Sequence, residues 1–280
     1  MSGTLFVVAT PIGNLEDLTP RASQTLASVD LVAAEDTRHT KRLLFTIGAK
    51  PSLIALHDHN EERAVQGIIE SLKDGKDVAL VSDAGTPLVS DPGFRLVRAA
   101  HENDITIVPI PGASAVTAAL SAAGLPTDRF CFEGFAPSKR SARREWLQAL
   151  AGEERTMVIY ESVHRIAACL ADMADIFGAD RPAFIGRELT KMHEECVQES
   201  LGELQRRIDD GAIKSKGEFV IVVSGAAAAV AATIDSDRLL SELAGCLSAK
   251  DAARIAANIT GEKKNALYER ILELKADSSS

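Results

Sequence analysis

Short apolar runs alternate with helical segments through the first part of the chain, and this alternation restricts the fold most strongly. Val78–Val81 is one such run, and its unbroken apolar character indicates a strand buried on both faces. Strand, helix and parallel strand in repetition build a mostly parallel sheet with helices on both faces. The predicted strands are 4–9, 31–34, 52–56, 78–81 and 105–108, and the predicted helices are 20–28, 37–47, one capped by Asn60, 94–102 and 113–123.

A second pattern follows the predicted linker Gly124–Asp128. Its strands and helices suggest a smaller α/β domain with a mixed sheet and some antiparallel pairing. Residues 236–275 then predict three short helices: Ser248–Asp251 is a capping box for the second, and Gly261 separates the second from the third. We therefore expect domains at 1–124, 125–226 and 227–280. The last is helical and helix-turn-helix-like, or else a small bundle that docks on a neighbour. The predicted strands of the second domain are 130–132, 156–160, 183–186, 193–199 and 218–223, its helices end near 150, 177 and 210, and a stripe at 267, 271, 272 and 274 is predicted on the last helix.

Composition limits the class of protein. A net charge of −9 argues against nonspecific nucleic-acid binding by the whole surface, although a local basic patch remains compatible with it. The four cysteines form no CxxC motif, so we expect no zinc site, no disulfide framework and a reduced, cytoplasmic compartment. No signal peptide or membrane span is evident. His57 and His59 share a face without an obvious third ligand, so we expect no metal.

The segment 82–93, SDAGTPLVSDPG, is the most informative loop. A strand-to-helix connection needs only about 2–6 residues, so its twelve residues call for a reason beyond connectivity. We expect its last four residues, Ser90–Gly93, to shape and cap the following helix. A turn is also predicted at Pro109–Gly112.

Four other irregular loops follow the remaining strands of the first sheet. All five loops lie at the carboxyl edge of a parallel sheet, where open α/β folds bind ligands, so they predict one crevice. The chain contains no G-x-G-x-x-G, no G-x-x-x-x-G-K-[ST] and no G-x-S-x-G, which removes the usual dinucleotide, nucleotide and hydrolase motifs. The four loops are Thr10–Asn14, Glu35–Arg38, His57–Glu61 and Pro111–Ala115.

These loops carry a resemblance to a known superfamily. The segments VATPIGNLEDLTPRA, EDTRHTKRLL, HDHNE, SDAGTPLVSDPG, PIPGASA, YESVHR, RELTKMHEE and GEFVIVV span residues 7–223. Together they resemble the tetrapyrrole-methylase-like (class III) methyltransferases, and within them the branch that methylates a cytidine 2′-hydroxyl in small-subunit (16S) rRNA. Val163 stands where that pattern leads us to expect Pro, which loosens a turn but changes no reacting group.

The resemblance implies two α/β domains with S-adenosylmethionine in the cleft between them, and a homodimer. A turn role for Asp83 and an N-cap role for Ser114 are the structural alternatives to cofactor binding. The cofactor contacts implied by the resemblance are Ile12, Asp83, Ala84, Gly85, Ser114 and Ala115, with Tyr160 and Gly217 from the second domain.

Methylation of a ribose hydroxyl suggests a positioned base, because that hydroxyl is a poor nucleophile. Glu188, Lys191 and His193 are the candidates, and an ion-pair network between the domains is the alternative for all three. Lys191 would serve only if its pKa were lowered.

Clustered cations suggest where RNA phosphate would bind. Four of them lie at a predicted helix start, where they oppose the helix macrodipole and require a compensating partner. A solvated helix start is the alternative. Other possibilities for the chain are a related methyltransferase acting on a tetrapyrrole, another small molecule or a protein, and a DNA-binding regulator using the C-terminal helices. The hypothesis places RNA phosphate at Arg38, Lys139, Arg140, Arg143, Arg144 and Arg165.

Overall fold

The computed structural model describes residues 2–57, 60–227 and 236–277. Its first sheet has the strand order β3-β2-β4-β1-β5, and all neighbouring strands are parallel. The predicted α/β pattern is therefore confirmed. The strands are β1 (Thr4–Val8), β2 (Leu31–Ala34), β3 (Ser52–Ala55), β4 (Val78–Val81) and β5 (Thr106–Ile110), and the helices are α1 (Pro20–Ser28), α2 (Thr37–Thr46), α3 (Glu61–Lys73), α4 (Phe94–Glu102) and α5 (Ala115–Ala122).

Helices cover both faces of this sheet. On one face Leu80 packs with apolar residues of α3 and α4, including Leu72 and Leu96. On the other face Val81 packs with α1 and α2 through Leu26 and Leu44. Alternate residues of β4 thus serve two cores, which is why its sequence is apolar without interruption.

Two local predictions were wrong. Strand β5 continues through Pro109 to Ile110, so the predicted turn starts only after it. Proline is tolerated there because β5 is an edge strand. Asn60 does not cap α3 with its side chain; its amide oxygen instead accepts a hydrogen bond from the backbone N–H of His57 at 2.9 Å.

The second sheet is mixed, as predicted, with the order β6-β7-β10-β8-β9. β6 and β7 are parallel and the other pairs are antiparallel. One face packs on helices of its own, and the other packs on α5 through Val158, Phe184 and Val220. Both sheets belong to one compact unit that ends at residue 225. The strands are β6 (Phe130–Phe135), β7 (Thr156–Ser162), β8 (Pro182–Arg187), β9 (Glu195–Ser200) and β10 (Glu218–Val223), and the helices are α6 (Arg140–Leu150), α7 (Ile166–Phe177) and α8 (Leu201–Asp209).

The C-terminal unit contains α9 (Ser236–Cys246), α10 (Ala249–Thr260) and α11 (Lys264–Asp277). The Ser248 hydroxyl accepts from the backbone N–H of Asp251 at the start of α10, and Gly261 ends that helix in the left-handed region at φ 74°. Leu267 and Ile271 are buried in its core, whereas Leu272, predicted to share their stripe, is exposed. Most of the alanine-rich segment 226–232 lies outside the described residues, as do the final three serines. The predicted boundaries at 124 and 226 stay predictions.

No helix within the described ranges is both long enough and apolar enough to cross a membrane.

Candidate methyl-donor site

The connections of the first sheet create a crevice between β1 and β4. The connection from β1 to β2 crosses one face of the sheet through α1, and the connection from β4 to β5 crosses the other face through α4, so the loops after these two neighbouring strands separate toward opposite faces. Ligands of open α/β sheets bind at such a switch point. Here an isolated antiparallel bridge joins the loops: the Thr10 N–H donates to the Gly85 carbonyl at 2.8 Å, and the Gly85 N–H donates to the Thr10 carbonyl at 3.0 Å.

Side-chain hydrogen bonds connect the other loops to residues 82–93. The Asp83 carboxylate accepts from the backbone N–H of Asp36 at 3.0 Å, which fixes the loop after β2. The Thr86 hydroxyl donates to the carbonyl of Ala113 at 3.0 Å, which fixes the loop after β5. Asp83 thus has a structural bond between neighbouring loops, in addition to its predicted role at the cofactor.

Glu61 provides the side-chain cap of α4. Gly93 occupies the N-cap position at φ 122° and makes no side-chain cap. The Glu61 carboxylate, from α3, accepts from the backbone N–H groups of Gly93 and Arg95, both at 3.2 Å. The prediction that Ser90–Gly93 caps the helix holds for the N-cap position, but the side-chain acceptor is a carboxylate distant in sequence.

The 82–93 loop holds unusual backbone conformations. Leu88 and Ser90 have φ values of 71° and 70°, and Gly85 has 81°. Non-glycine residues in this region carry a strain of about 1–3 kcal/mol each and concentrate at functional sites.

A cavity of about 280 Å³ lies between this loop and the second sheet. Its size is near the lower end of ligand clefts, about 300–1,000 Å³. Of the eight predicted cofactor contacts, the cavity is lined by Ile12, Asp83, Ala84, Gly85, Ser114, Ala115 and Tyr160. Ser114 occupies the N-cap position of α5 but makes no side-chain cap, so its hydroxyl is available to a ligand there.

Gly217 does not line the cavity; its neighbour Glu218 does. Gly217 has φ 91°, and a Cβ at this position would lie 2.4 Å from the carboxyl carbon of Glu188. The glycine therefore makes room for Glu188 rather than for a ligand.

Nine further lining residues of the cavity were not predicted as cofactor contacts: Glu35, Thr86, Val89, Ser90, Asp91, Phe135, Glu218, Phe219 and Val220. Glu35 belongs to a loop that the sequence singles out, and Asp91 was assigned to helix capping. Phe135 reaches the cavity after a bulge between Phe132 and Gly134, where Gly134 has φ 69°. Its ring lies 5.5 Å from that of Tyr160. A bulge that redirects one side chain has no clear sequence signal beyond the glycine itself.

The cavity is an acidic environment. Its lining includes Glu35, Asp83, Asp91 and Glu218, and no Lys, Arg or His among the residues that the structure describes. Burial, reinforced by the negative charge of Glu35, raises the pKa of Asp91 to about 6. Such a lining favours a ligand that carries positive charge.

The three candidate bases lie on the loop between β8 and β9, and two of them, Glu188 and Lys191, form an ion-pair network with Glu218 of β10. Lys191 Nζ donates to Glu188 at 2.9 Å and to Glu218 at 3.0 Å. Burial alone would lower the pKa of Lys191, but hydrogen bonds to these two carboxylates raise it overall, so the ammonium keeps its proton. Burial likewise acts to raise the pKa of Glu188, and the hydrogen bond from Lys191 reverses the shift. Lys191 could act as a base only with a lowered pKa, and its pKa is raised instead. His193 is exposed and does not line the cavity.

Most of the predicted RNA-binding cluster has a structural partner. Arg143 is 3% exposed and donates to the buried carboxylate of Asp172 at 2.7 and 2.9 Å. Arg140 and Arg144 contact the same carboxylate. Asp172 is the compensating partner of three of the four cations at this helix start. The prediction that Arg143 binds RNA is therefore corrected: Arg143 is a core residue, because its guanidinium is buried and donates to Asp172 Oδ2.

The remaining cations are accessible to different degrees. Arg38 is 88% exposed and pairs with Asp36, and Arg140 is 75% exposed. Arg165 is partly buried beside Glu161, and Lys139 is exposed at the start of α6.

No group of three His, Cys, Asp or Glu within the described ranges is arranged to hold a metal ion. Asp58 and His59, from the His57–His59 segment considered for metal binding, lie outside those ranges.

Two family models match the sequence. Residues 4–205 match the Tetrapyrrole (Corrin/Porphyrin) Methylases, and residues 230–275 match the RsmI C-terminal HTH domain. Together the two models cover both units of the structure.

Several curated proteins named ribosomal RNA small subunit methyltransferase I are similar to this chain over nearly their whole length. The protein of Xylella fastidiosa (strain Temecula1) is 52% identical over 95% of this chain and 98% of its own. That of Pseudomonas aeruginosa is 49% identical over 99% of each chain, and that of Escherichia coli O157:H7 is 48% identical over 97% of this chain and 95% of its own.

Solved structures with low sequence identity share the fold. Diphthine synthase aligns with a TM-score of 0.58 at 16% identity, covering 79% of this chain and 90% of its own. Uroporphyrin-III C-methyltransferase of Thermus thermophilus, complexed with S-adenosylhomocysteine, aligns with a TM-score of 0.54 at 17% identity, covering 79% and 97%.

Proposed function

The chain belongs to the ribosomal RNA small subunit methyltransferase I family of the tetrapyrrole methylases, and from this we propose that it methylates a cytidine 2′-hydroxyl of small-subunit rRNA in the cytoplasm. It is an S-adenosylmethionine-dependent methyltransferase. The family relationship supports rRNA as the substrate. The cytidine and its ribose hydroxyl are what the motif resemblance implies.

The observation that carries this proposal is the cavity at the β1–β4 switch point. Seven of the eight residues that the resemblance assigns to the cofactor line it. They come from three loops of the first sheet and from β7 of the second, so residues far apart in sequence converge as the resemblance implies.

The chemistry of the lining suits the methyl donor. When bound, S-adenosylmethionine supplies an electrophilic methyl group on a sulfonium, and a C–O bond to the acceptor replaces the C–S bond. Asp83, Asp91 and their acidic neighbours offer negative charge to that cation. Tyr160, Phe135 and Ile12 offer apolar surface to an adenosine.

We propose that catalysis depends chiefly on positioning. Holding the methyl carbon and the acceptor oxygen in near-attack geometry can supply about 7–11 kcal/mol. Lys191 would act as a fixed cation held by Glu188 and Glu218. Glu188 and His193 are left as the candidates to accept the hydroxyl proton.

RNA phosphate would bind at the accessible cations outside the cavity. Arg143 is excluded from this role because it is buried against Asp172. The residues that we propose for phosphate binding are Arg38, Lys139, Arg140, Arg144 and Arg165. The rRNA would be methylated within the small ribosomal subunit, and the enzyme would act as a homodimer.

The test is methylation of small subunits from a strain lacking the enzyme, using labelled S-adenosylmethionine and mapping of the product. We expect one 2′-O-methylated cytidine. Label on a porphyrinoid but none on small-subunit rRNA would contradict the proposal and favour a tetrapyrrole substrate.

A further inference from the structure

A second cavity, of about 310 Å³, adjoins the first. The two have Ile12, Asp83 and Ala84 in common as lining residues. Groups bound in the two cavities would therefore meet at the edge of the donor site, which is where a methyl acceptor must lie.

The second cavity differs from the first in charge. It is lined by His39, Arg42 and Lys191, with Asp83 as the one carboxylate among the described lining residues. Arg42 is exposed and forms no ion pair with any residue of the described ranges. On a chain with net charge −9, an unpaired cation at the mouth of a cavity points to an anionic ligand.

The basic residues reach this cavity through specific local geometry. His39, Arg42 and Thr46 recur at helical spacing on one face of α2 and line the cavity together. Lys191 crosses from the second sheet over Gly13, where a Cβ would lie only 2.3 Å from the lysine Cγ. Because Gly13 has no side chain, the Lys191 side chain can extend from the second sheet to the second cavity.

Apolar surface lies opposite these charges. Pro11 and Leu15 line the cavity, and Leu15 is 57% exposed although it is large and apolar. A flat base can pack on such a surface while its phosphate contacts the cations.

We propose that the second cavity holds the acceptor nucleotide of an RNA strand, with Arg42 and His39 contacting its phosphate and Leu15 packing against its base. This inference rests on the proposed function. The lining of the second cavity includes basic side chains, whereas that of the donor cavity includes none among the described residues.

The experiment compares Arg42→Ala, Arg42→Lys, His39→Ala and Lys41→Ala with the wild-type enzyme on small subunits from the deletion strain. Lys41 is the matched control, since it is an exposed cation on the same helix but lines neither the donor cavity nor the second cavity. We expect kcat/KM to fall at least tenfold for Arg42→Ala and His39→Ala. It should stay within about twofold for Lys41→Ala, and Arg42→Lys should restore part of the loss.

Two further readouts separate substrate binding from folding. The dissociation constant for S-adenosylmethionine, measured by calorimetry, should stay within twofold in every variant. The slope of log KM against log salt should decrease by about one in magnitude for Arg42→Ala, as expected for one lost phosphate contact.

The possible failures are distinguishable. Equal activities of Arg42→Ala and Lys41→Ala, whether both normal or both reduced, would overturn the assignment of this cavity while leaving the proposed function intact. A wild-type enzyme that methylates no small-subunit rRNA would overturn both.

Discussion

Asp91 shows how single residues set the preference of the donor cavity for charge. Its carboxylate is half-buried, lines the cavity together with Glu35, Asp83 and Tyr160, and interacts electrostatically with all three. Burial and the repulsion of Glu35 raise its pKa to about 6, and burial with the nearby Asp91 raises the pKa of Tyr160 to about 12. A bound sulfonium would stabilise the ionised form of Asp91.

We therefore predict that the affinity for S-adenosylmethionine rises about fivefold between pH 5 and pH 7, if the donor lowers the pKa of Asp91 by about one unit. Asp91→Asn should remove most of this rise. Calorimetry across the pH range measures it, and S-adenosylhomocysteine, which lacks the sulfonium, should show little pH dependence. An unchanged pH profile in the variant would rule out Asp91 as its cause.

The raised pKa of Asp91 also determines how the free energy of unfolding of the ligand-free protein changes with pH. Because the folded-state pKa of Asp91 is raised, its contribution is present below the unfolded pKa of about 3.9 and is lost as the pH rises through about 6. Asp91→Asn should therefore stabilise the free protein at pH 7 and make little difference at pH 4.

Gly85 offers a second prediction for a single residue. A Cβ at Gly85 would lie 3.1 Å from Cγ2 of Ile12, and the backbone there has φ 81°. Gly85→Ala should lower the free energy of unfolding by about 1 kcal/mol and weaken donor binding. Gly48→Ala is the matched control, since Gly48 has φ 69° with no atom within 4 Å of its Cβ position. Similar donor affinities of the two variants would show that crowding at Ile12 is unimportant.

Among the secondary-structure elements, the pairing of α6 with α7 depends on one buried carboxylate. Burial acts to raise the pKa of Asp172, but hydrogen bonds from Arg143, Arg144 and Arg140 lower it overall. Its contribution to stability is therefore present at neutral pH and lost only as the pH falls below the ordinary carboxyl range.

Asp172→Asn should destabilise the protein by roughly 3–5 kcal/mol, because it leaves Arg143 buried without a full charge partner. Asp175→Asn is the control: Asp175 pairs with Arg144 but is 63% exposed, so its loss should change the unfolding free energy by less than about 1 kcal/mol. The test is guanidinium denaturation of both variants, which compares their unfolding midpoints. Equal midpoints would contradict the assignment of Arg143 to the core.

Elements were predictable where local sequence determines them. Thr19 and Pro20 begin α1 as expected, and the apolar run 78–81 is the central strand β4. Errors arose where distant residues intervene. Glu61 of α3 caps α4, and pairing with β1 extends β5 through Pro109. No local pattern reveals either contact.

Across the molecule as a whole, the order of the strands determined the site. Alternating strands and helices predicted a parallel sheet with loops at one edge, and that prediction is confirmed. The residues that the second sheet contributes to the donor cavity were harder to predict from the sequence. Phe135 arrives through a bulge. Glu218 belongs to the segment GEFVIVV, but it reaches the cavity only through the antiparallel pairing of β10, so local sequence places neither residue at the cavity.

A crystal structure of the protein with S-adenosylhomocysteine would test the placement of the methyl donor more directly than any variant. We predict that the ligand lies in the acidic cavity, between Asp83–Gly85 and Tyr160, with the second cavity left open beside Arg42. S-adenosylhomocysteine bound among His39, Arg42 and Lys191, or anywhere else away from Asp83–Gly85, would contradict this placement.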